Sequence, residues 1–119
     1  MKTGRKKTGG KYHKARKKKL FERAGQARST RLGNEKKRSK KTVGGKMKIF
    51  LLQGKVININ EKGKNRRIEI KNVLETPSNK FLARQNIITK GTIVETELGK
   101  VRVTNRPSQE GMINGVLVK

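Results

Sequence analysis

Hydrophobic and polar positions change their pattern near residue 45. Beyond it, Ile and Val recur in short runs broken by Gly, Pro, Asn and Ser, the chemistry of strands separated by turns. The pattern predicts strands at Lys46–Leu52, Lys55–Asn60, Arg66–Leu74, Gln85–Thr89, Thr92–Glu97, Lys100–Asn105 and Met112–Val118. Turns fall at Gly54, Glu61–Asn65, Pro77-Ser78-Asn79, Gly91, Leu98-Gly99 and Arg106–Gly111. Many short strands at close spacing point to a mainly β fold, a small antiparallel β-barrel, in which closure removes sticky edges. About 70 residues just suffice for one core. Phe50 and Phe81 are expected inside it.

One hairpin is specific enough to give a register. With Leu98-Gly99 as a two-residue turn, Glu97 faces Lys100, Glu95 faces Arg102, Val94 faces Val103 and Thr96 faces Val101. Two opposite-charge pairs then share one face. Leu tolerates positive φ poorly, so a type I turn with Gly99 in a bulge, one residue out of register, is the alternative. The charge pairing favours the first.

Before residue 45 the periodic pattern is gone. Residues 1–48 hold 20 Lys and Arg against Glu22 and Glu35, net +18 of the chain's +25, and only ten of its 36 hydrophobic residues. So little apolar surface cannot offset the conformational entropy of ordering, so the stretch is expected to be disordered alone in water. Leu20, Phe21 and Ala24 share one face of a possible short helix from Lys14 to Ala27, and Ser29, Thr30, Gly33 and Asn34 read as loop. The expected organisation is a basic extension at residues 1–45 that lacks its own core, followed by a barrel domain at 46–119.

Composition narrows the chemistry. Cys and Asp are absent, His13 is the one histidine, and the acids are eight scattered Glu. Disulfides, thiolate metal sites and thiol nucleophiles are excluded, and no convergent catalytic set is visible. Glu95 and Glu97 lie two apart, but they read better as solvent-side partners of Lys100 and Arg102 than as a carboxylate pair. No phosphate-binding loop or dinucleotide fingerprint occurs. No metal, cofactor or small-molecule substrate is expected, and the chain reads as a non-enzyme. No apolar run approaches the roughly 20 residues of a membrane helix, and the N-terminus lacks a secretory signal's apolar stretch. A soluble intracellular protein without membrane partners is the expectation.

A charge of +25 repels itself unless neutralised, which makes nucleic acid the expected partner. The candidate contacts are Arg5, Lys6, Lys7, Lys11, His13, Lys14, Arg16, Lys17, Lys18 and Lys19, with Gly9-Gly10 letting the main chain approach a crowded surface closely. They continue with Arg28, Arg31, Lys36, Lys37, Arg38, Lys40, Lys41, Lys46 and Lys48. His13 is either a stacking or phosphate-contacting group or an idle solvated side chain. Helix-turn-helix, zinc-finger and basic-zipper signatures are missing, as is an aromatic platform for single strands. Composition alone therefore describes a polyanion binder. A narrow basic arm suits the crevices of folded RNA; a DNA-compacting protein and a factor acting transiently on RNA remain as alternatives.

Specific blocks go further. TGGKY at Thr8–Tyr12 precedes the basic run Lys14–Lys19 and Phe21-Glu22; GGKMKIFLL spans Gly44–Leu52; NIITKG, ETELGKVRVT and RPSQEG follow in order between Arg84 and Lys119. In these the chain resembles the archaeal and eukaryotic type of small-subunit ribosomal protein number eight, which is unrelated to the bacterial protein of that number. It departs at Arg23-Ala24-Gly25, where the family usually has a hydrophobic residue and then Gly. It also lacks the long eukaryotic insertion, so the archaeal form is the closer likeness. The resemblance implies a cytoplasmic structural constituent of the small subunit, supporting translation and subunit assembly. Its partners would be small-subunit rRNA and neighbouring small-subunit ribosomal proteins. The arm would thread between rRNA helices, with the matching positions Thr8, Gly9, Gly10, Lys11 and Tyr12 and the run Lys14–Lys19 lining rRNA, and the barrel would dock on rRNA. Beside the matching blocks, Arg84, Lys90 and Arg106 become candidate contacts on the barrel.

Overall fold

A computed structural model of the chain describes residues 4–12, 16–25, 27–61 and 63–118. In chain order the strands are β1 (Thr30–Leu32), β2 (Lys36–Lys41), β3 (Met47–Gly54), β4 (Val56–Glu61), β5 (Lys64–Glu75), β6 (Ile87–Ile88), β7 (Ile93–Thr96), β8 (Gly99–Val103) and β9 (Asn114–Leu117). Two short helices, α1 (Lys80–Arg84) and α2 (Pro107–Glu110), interrupt them. Strands β4-β5-β7-β8-β9 form a closed barrel, and β2-β3-β1-β6 form a four-stranded sheet beside it.

The barrel follows from alternation. In β4, Ile57 and Ile59 are buried and Asn58 and Asn60 face outward; in β8, Val101 and Val103 are buried and Arg102 is exposed. These pack with Ile70, Val73, Val94 and Ile113 into one core. Each such side chain contributes about 1.5–3 kcal/mol by leaving water. Successive antiparallel neighbours alternate in direction, so an odd number of strands must close with one parallel pair. Here that pair is β4 with β9, in the register Asn58↔Asn114 and Ile59↔Gly115. The seam is tight. A Cβ at position 115 would lie 2.5 Å from Val101 Cγ1 and 2.8 Å from Ile57 Cδ1, so only Gly fits.

The second sheet is fastened to this core by Leu51 of β3 and Ile88 of β6, which belong to the same buried cluster. Strand β1 runs parallel to β3 and antiparallel to β6. Buried Thr30 donates its hydroxyl to the Leu51 carbonyl at 2.8 Å. The change of composition at residue 45 is therefore not a break in pairing, since β1 and β2 before it bond to β3 and β6 beyond it.

All seven expected strands occur, with shifted ends, but only five of them make the barrel; β3 and β6 go to the second sheet. Several readings are corrected. Thr30, read as loop, lies in β1, and the Lys36–Lys41 cluster is a strand exposed along its whole length. The helix expected from Lys14 to Ala27 is, among its described residues, one turn of 3-10 helix at Leu20–Glu22, because Leu20 and Phe21 find nothing to bury against and stay 83% and 80% exposed. His13, Lys14, Ala15 and Gln26 lie outside the described residues.

Phe81 is 67% exposed rather than in the core. It sits on α1, an unforeseen helix whose N-cap Asn79 accepts the Phe81 N–H at 2.9 Å. The β7–β8 hairpin takes neither proposed register. Glu95 faces Lys100, Val94 faces Val101 and Thr96 faces Gly99, leaving Glu97 and Leu98 as the turn and Arg102 opposite Ile93. Gly99 takes the positive φ, +114°. Backbone sterics at Leu98 decide the register over the second charge pair.

Candidate nucleic-acid interface

The first candidates form a tight turn. The Lys6 N–H donates to the Gly10 carbonyl and the Gly9 N–H to the Lys6 carbonyl, both at 2.9 Å, and Arg5 bridges to Lys11. Gly9 carries φ +80°, which permits the reversal. The Lys6 ammonium stands 5.6 Å from the centre of the Tyr12 ring. Arg5, Lys6, Lys7, Thr8, Gly10 and Lys11 are all exposed around this turn.

The next segment contains one internal neutralisation. Arg16 grips Glu22 through two hydrogen bonds of 2.8 and 2.6 Å, and Glu22 also accepts the Lys19 N–H at 3.0 Å. Arg16, and secondarily the Lys19 amide, hold the Glu22 carboxyl below the usual carboxylate range; the same bond raises Arg16. Arg16 thus has its fork occupied within the chain, whereas Lys17, Lys18 and Lys19 are exposed cations.

Strands β2 and β3 form a second basic surface. Arg38 pairs with Phe50 and Lys40 with Lys48; Lys37, Ser39 and Lys41 pair with Leu51, Ile49 and Met47. Directly opposed lysines repel, so this hairpin is under electrostatic tension until anions arrive. Lys36 pairs with Gln53 beyond a bulge. Lys37 forms an ion pair with Glu35, and that bond is the main cause of the lowered Glu35 pKa. The turn after β2 is closed by the Thr42 N–H and hydroxyl on the Lys46 carbonyl at 2.7 and 2.8 Å. Arg31 of β1 is exposed on the same sheet.

Barrel and N-terminal segment meet at Arg28. Its guanidinium lies 3.7 Å from the centre of the Phe50 ring, a stacked cation–π arrangement. Phe50 is buried, as expected of a core residue, and its ring also positions a cation. Arg28 also lines a cleft of about 230 Å³ with Lys90 and Arg106. Three cations from positions 28, 90 and 106 therefore converge, and Arg28 joins them through Phe50 to Arg38 of β2. Arg84 does not join them. It stands 5.9 Å from the Phe81 ring and lines a different cleft, between α1 and β5, with Lys80 and Asn72.

Arg102 was missed as a candidate. Assigned as a partner of Glu95, it instead shares a small cleft with Lys90. The correct hairpin register is the signal that exposes it. Chemically the surface offers positive charge and planar guanidinium groups, the means of binding phosphate. Among the described residues no group of three or more His, Cys, Asp or Glu side chains gathers to hold a metal.

Comparison with known proteins agrees on one family. The family described as ribosomal protein S8e matches residues 1–118. A small ribosomal subunit protein eS8 from Nanoarchaeum equitans is 42% identical over 114 residues, covering 94% of this chain and 90% of its own length. Those of Methanosarcina barkeri and Methanocorpusculum labreanum are 42% and 38% identical, covering 97% and 99% of this chain and 94% and 96% of theirs.

Proposed function

We propose that this chain, which belongs to the ribosomal protein S8e family, is a structural component of the cytoplasmic small ribosomal subunit that binds rRNA through its basic face. The observation that supports this most is the meeting of Arg28, Lys90 and Arg106 in one cleft, with Arg28 stacked on Phe50 opposite Arg38. Cations remote in sequence are held on one surface, where each can replace a counterion on a phosphate. The β2–β3 hairpin extends that surface, and the turn at Arg5–Tyr12 and the run Lys17–Lys19 continue it along the N-terminal segment.

Residues 1–45 act as the rRNA-binding extension: the segment before β1 threads between rRNA helices, while β1 and β2, paired to β3 and β6, dock with the barrel on the subunit surface beside neighbouring ribosomal proteins. Ordering such a segment costs about 1–2 kcal/mol per residue, so affinity comes from many contacts rather than one hot spot. If ten of its cations meet phosphates, the log–log salt slope is roughly −7 to −9. Binding of this kind reads shape and charge; no step of chemistry is assigned to the chain.

The test is filter binding of the full chain to a small-subunit rRNA transcript across KCl concentrations. The triple variant Arg28→Gln, Lys90→Gln, Arg106→Gln is expected to flatten the log–log slope by about two to three and to weaken binding at every salt concentration. An unchanged slope, or equal affinity of the parent chain for duplex DNA of the same length, would contradict the proposal.

A further inference from the structure

The outer face of the barrel also carries a cluster of amides, beside Arg66 and Arg67. Asn58 and Asn60 alternate with buried Ile57 and Ile59 along β4. Cross-strand register sets Asn65 beside Asn60, and Arg67 and Asn114 on either side of Asn58. Asn is depleted in strands, so four of them on three adjacent strands are not explained by local propensity. Strand and residue spacings place these side chains over an area of about 10 by 7 Å, the size of a nucleotide.

The amides are also oriented. Asn58 Nδ2 donates to Asn114 Oδ1 at 3.1 Å. The Asn114 N–H donates to Asn105 Oδ1 at 2.9 Å, and Asn105 Nδ2 in turn donates to the Met112 carbonyl at 2.8 Å. Asn58 Oδ1 and Asn114 Nδ2 remain, an acceptor next to a donor, and no hydrogen bond among the described residues engages either. The side chains of Asn60 and Asn65 make none either. All four asparagines line one cleft of about 610 Å³, with Val116 as an apolar wall and Arg66 and Arg67 at its edge.

We propose that this cleft binds an unpaired nucleotide of the rRNA, its base edge meeting the Asn58–Asn114 acceptor–donor pair, its sugar hydroxyls meeting the amides of Asn60 and Asn65, and its phosphate meeting Arg67. A side-by-side amide donor and acceptor matches the edge of a base in a way that a lone cation does not, and recognition of unpaired, splayed-out bases is the usual route to sequence-specific RNA binding. Charge also favours RNA over a protein partner. Arg67 and Asn58 line a second, smaller cleft with Lys37 of β2, so the amide cluster is continuous with the basic face. The inference rests on the rRNA-binding reading but adds a contact that reads sequence to one that reads charge.

The experiment uses the full chain and the small-subunit rRNA transcript again, with two double variants: Asn60→Ala with Asn65→Ala, and Asn58→Ala with Asn114→Ala. The first removes no hydrogen bond found among the described residues, so it keeps the test meaningful if the second lowers the melting temperature. Each is expected to weaken binding about tenfold at fixed salt with the salt slope unchanged, because amides release no counterions. Arg67→Gln should lower the slope by roughly one. Parent-like affinity of the Asn60→Ala, Asn65→Ala variant would overturn the proposal. So would loss of incorporation into subunits with parent-like affinity for naked transcript, which would assign the face to a neighbouring protein. Failure of the parent chain itself to bind the transcript would instead sink the rRNA-binding reading as a whole.

Discussion

Strands β2 and β4 each have six residues, and each pairs antiparallel with the strand that follows it. Beyond that they share nothing. In β4, Ile57 and Ile59 alternate with Asn58 and Asn60 and turn toward the core; in β2, KKRSKK, all six residues are exposed. The first is held by burial, which is independent of any partner. The second is held by its ladder to β3 against the repulsion of its own charges. Its lysines also keep this edge from pairing with another chain. One protein thus contains a strand complete in itself and a strand that is stabilised by neutralisation.

The contrast breaks first on stability. Ile57→Ala should cost about 2–5 kcal/mol in urea unfolding, whereas Lys40→Ala should stay within about 0.5 kcal/mol of the parent. Comparable losses at the two positions would remove the distinction.

That difference also explains what could be read from residues alone. Alternation marks a strand only where one face is buried, so β4, β5, β7, β8 and β9 were legible and β2, with no buried face, was not. Strand β1 is three residues long and announces itself only through Thr30, whose burial depends on β3 and β6 arriving from elsewhere. Helix α1 was hidden because Pro77-Ser78-Asn79 reads as a turn, although Asn79 is also a good N-cap. In the β7–β8 hairpin, two attractive charge pairs weighed less than the φ that Leu98 refuses. As for the interface, the cationic segments were evident from composition. The convergence of positions 28, 90 and 106 and the platform at Phe50 are tertiary, and no periodicity encodes them.

Thr30→Val sharpens the comparison at the join. It removes the hydroxyl donor to the Leu51 carbonyl, so a loss of about 1 kcal/mol is expected in the same unfolding assay. No loss would mean that β1 does not fasten the N-terminal half to the core.

Smaller still is Lys40→Glu, which places opposite charges at the Lys40↔Lys48 pair. The free chain should gain a few tenths of a kcal/mol at low salt while rRNA affinity falls. A gain in both would show that β2 does not face phosphate.

The smallest effect is local. Glu22 has its pKa lowered by Arg16, so the stability it lends the Arg16–Glu22 turn is present above the ordinary carboxylate pKa and is lost as pH falls through the lowered value. The Lys19 amide resonance should therefore titrate with a midpoint below that of a free glutamate. A midpoint at or above the free value would mean that the grip does not form in solution.

Amide hydrogen exchange, with and without the small-subunit rRNA transcript, puts the two strands in a single experiment. In the free chain Ile57 and Ile59 should exchange far more slowly than Arg38 and Lys40. With rRNA, protection should rise strongly across β2 and at Lys6 and Gly9, whose amides already close the N-terminal turn, while the barrel core changes little. Equal protection of β2 in the free and bound states would contradict the claim that this basic face is the surface that meets rRNA.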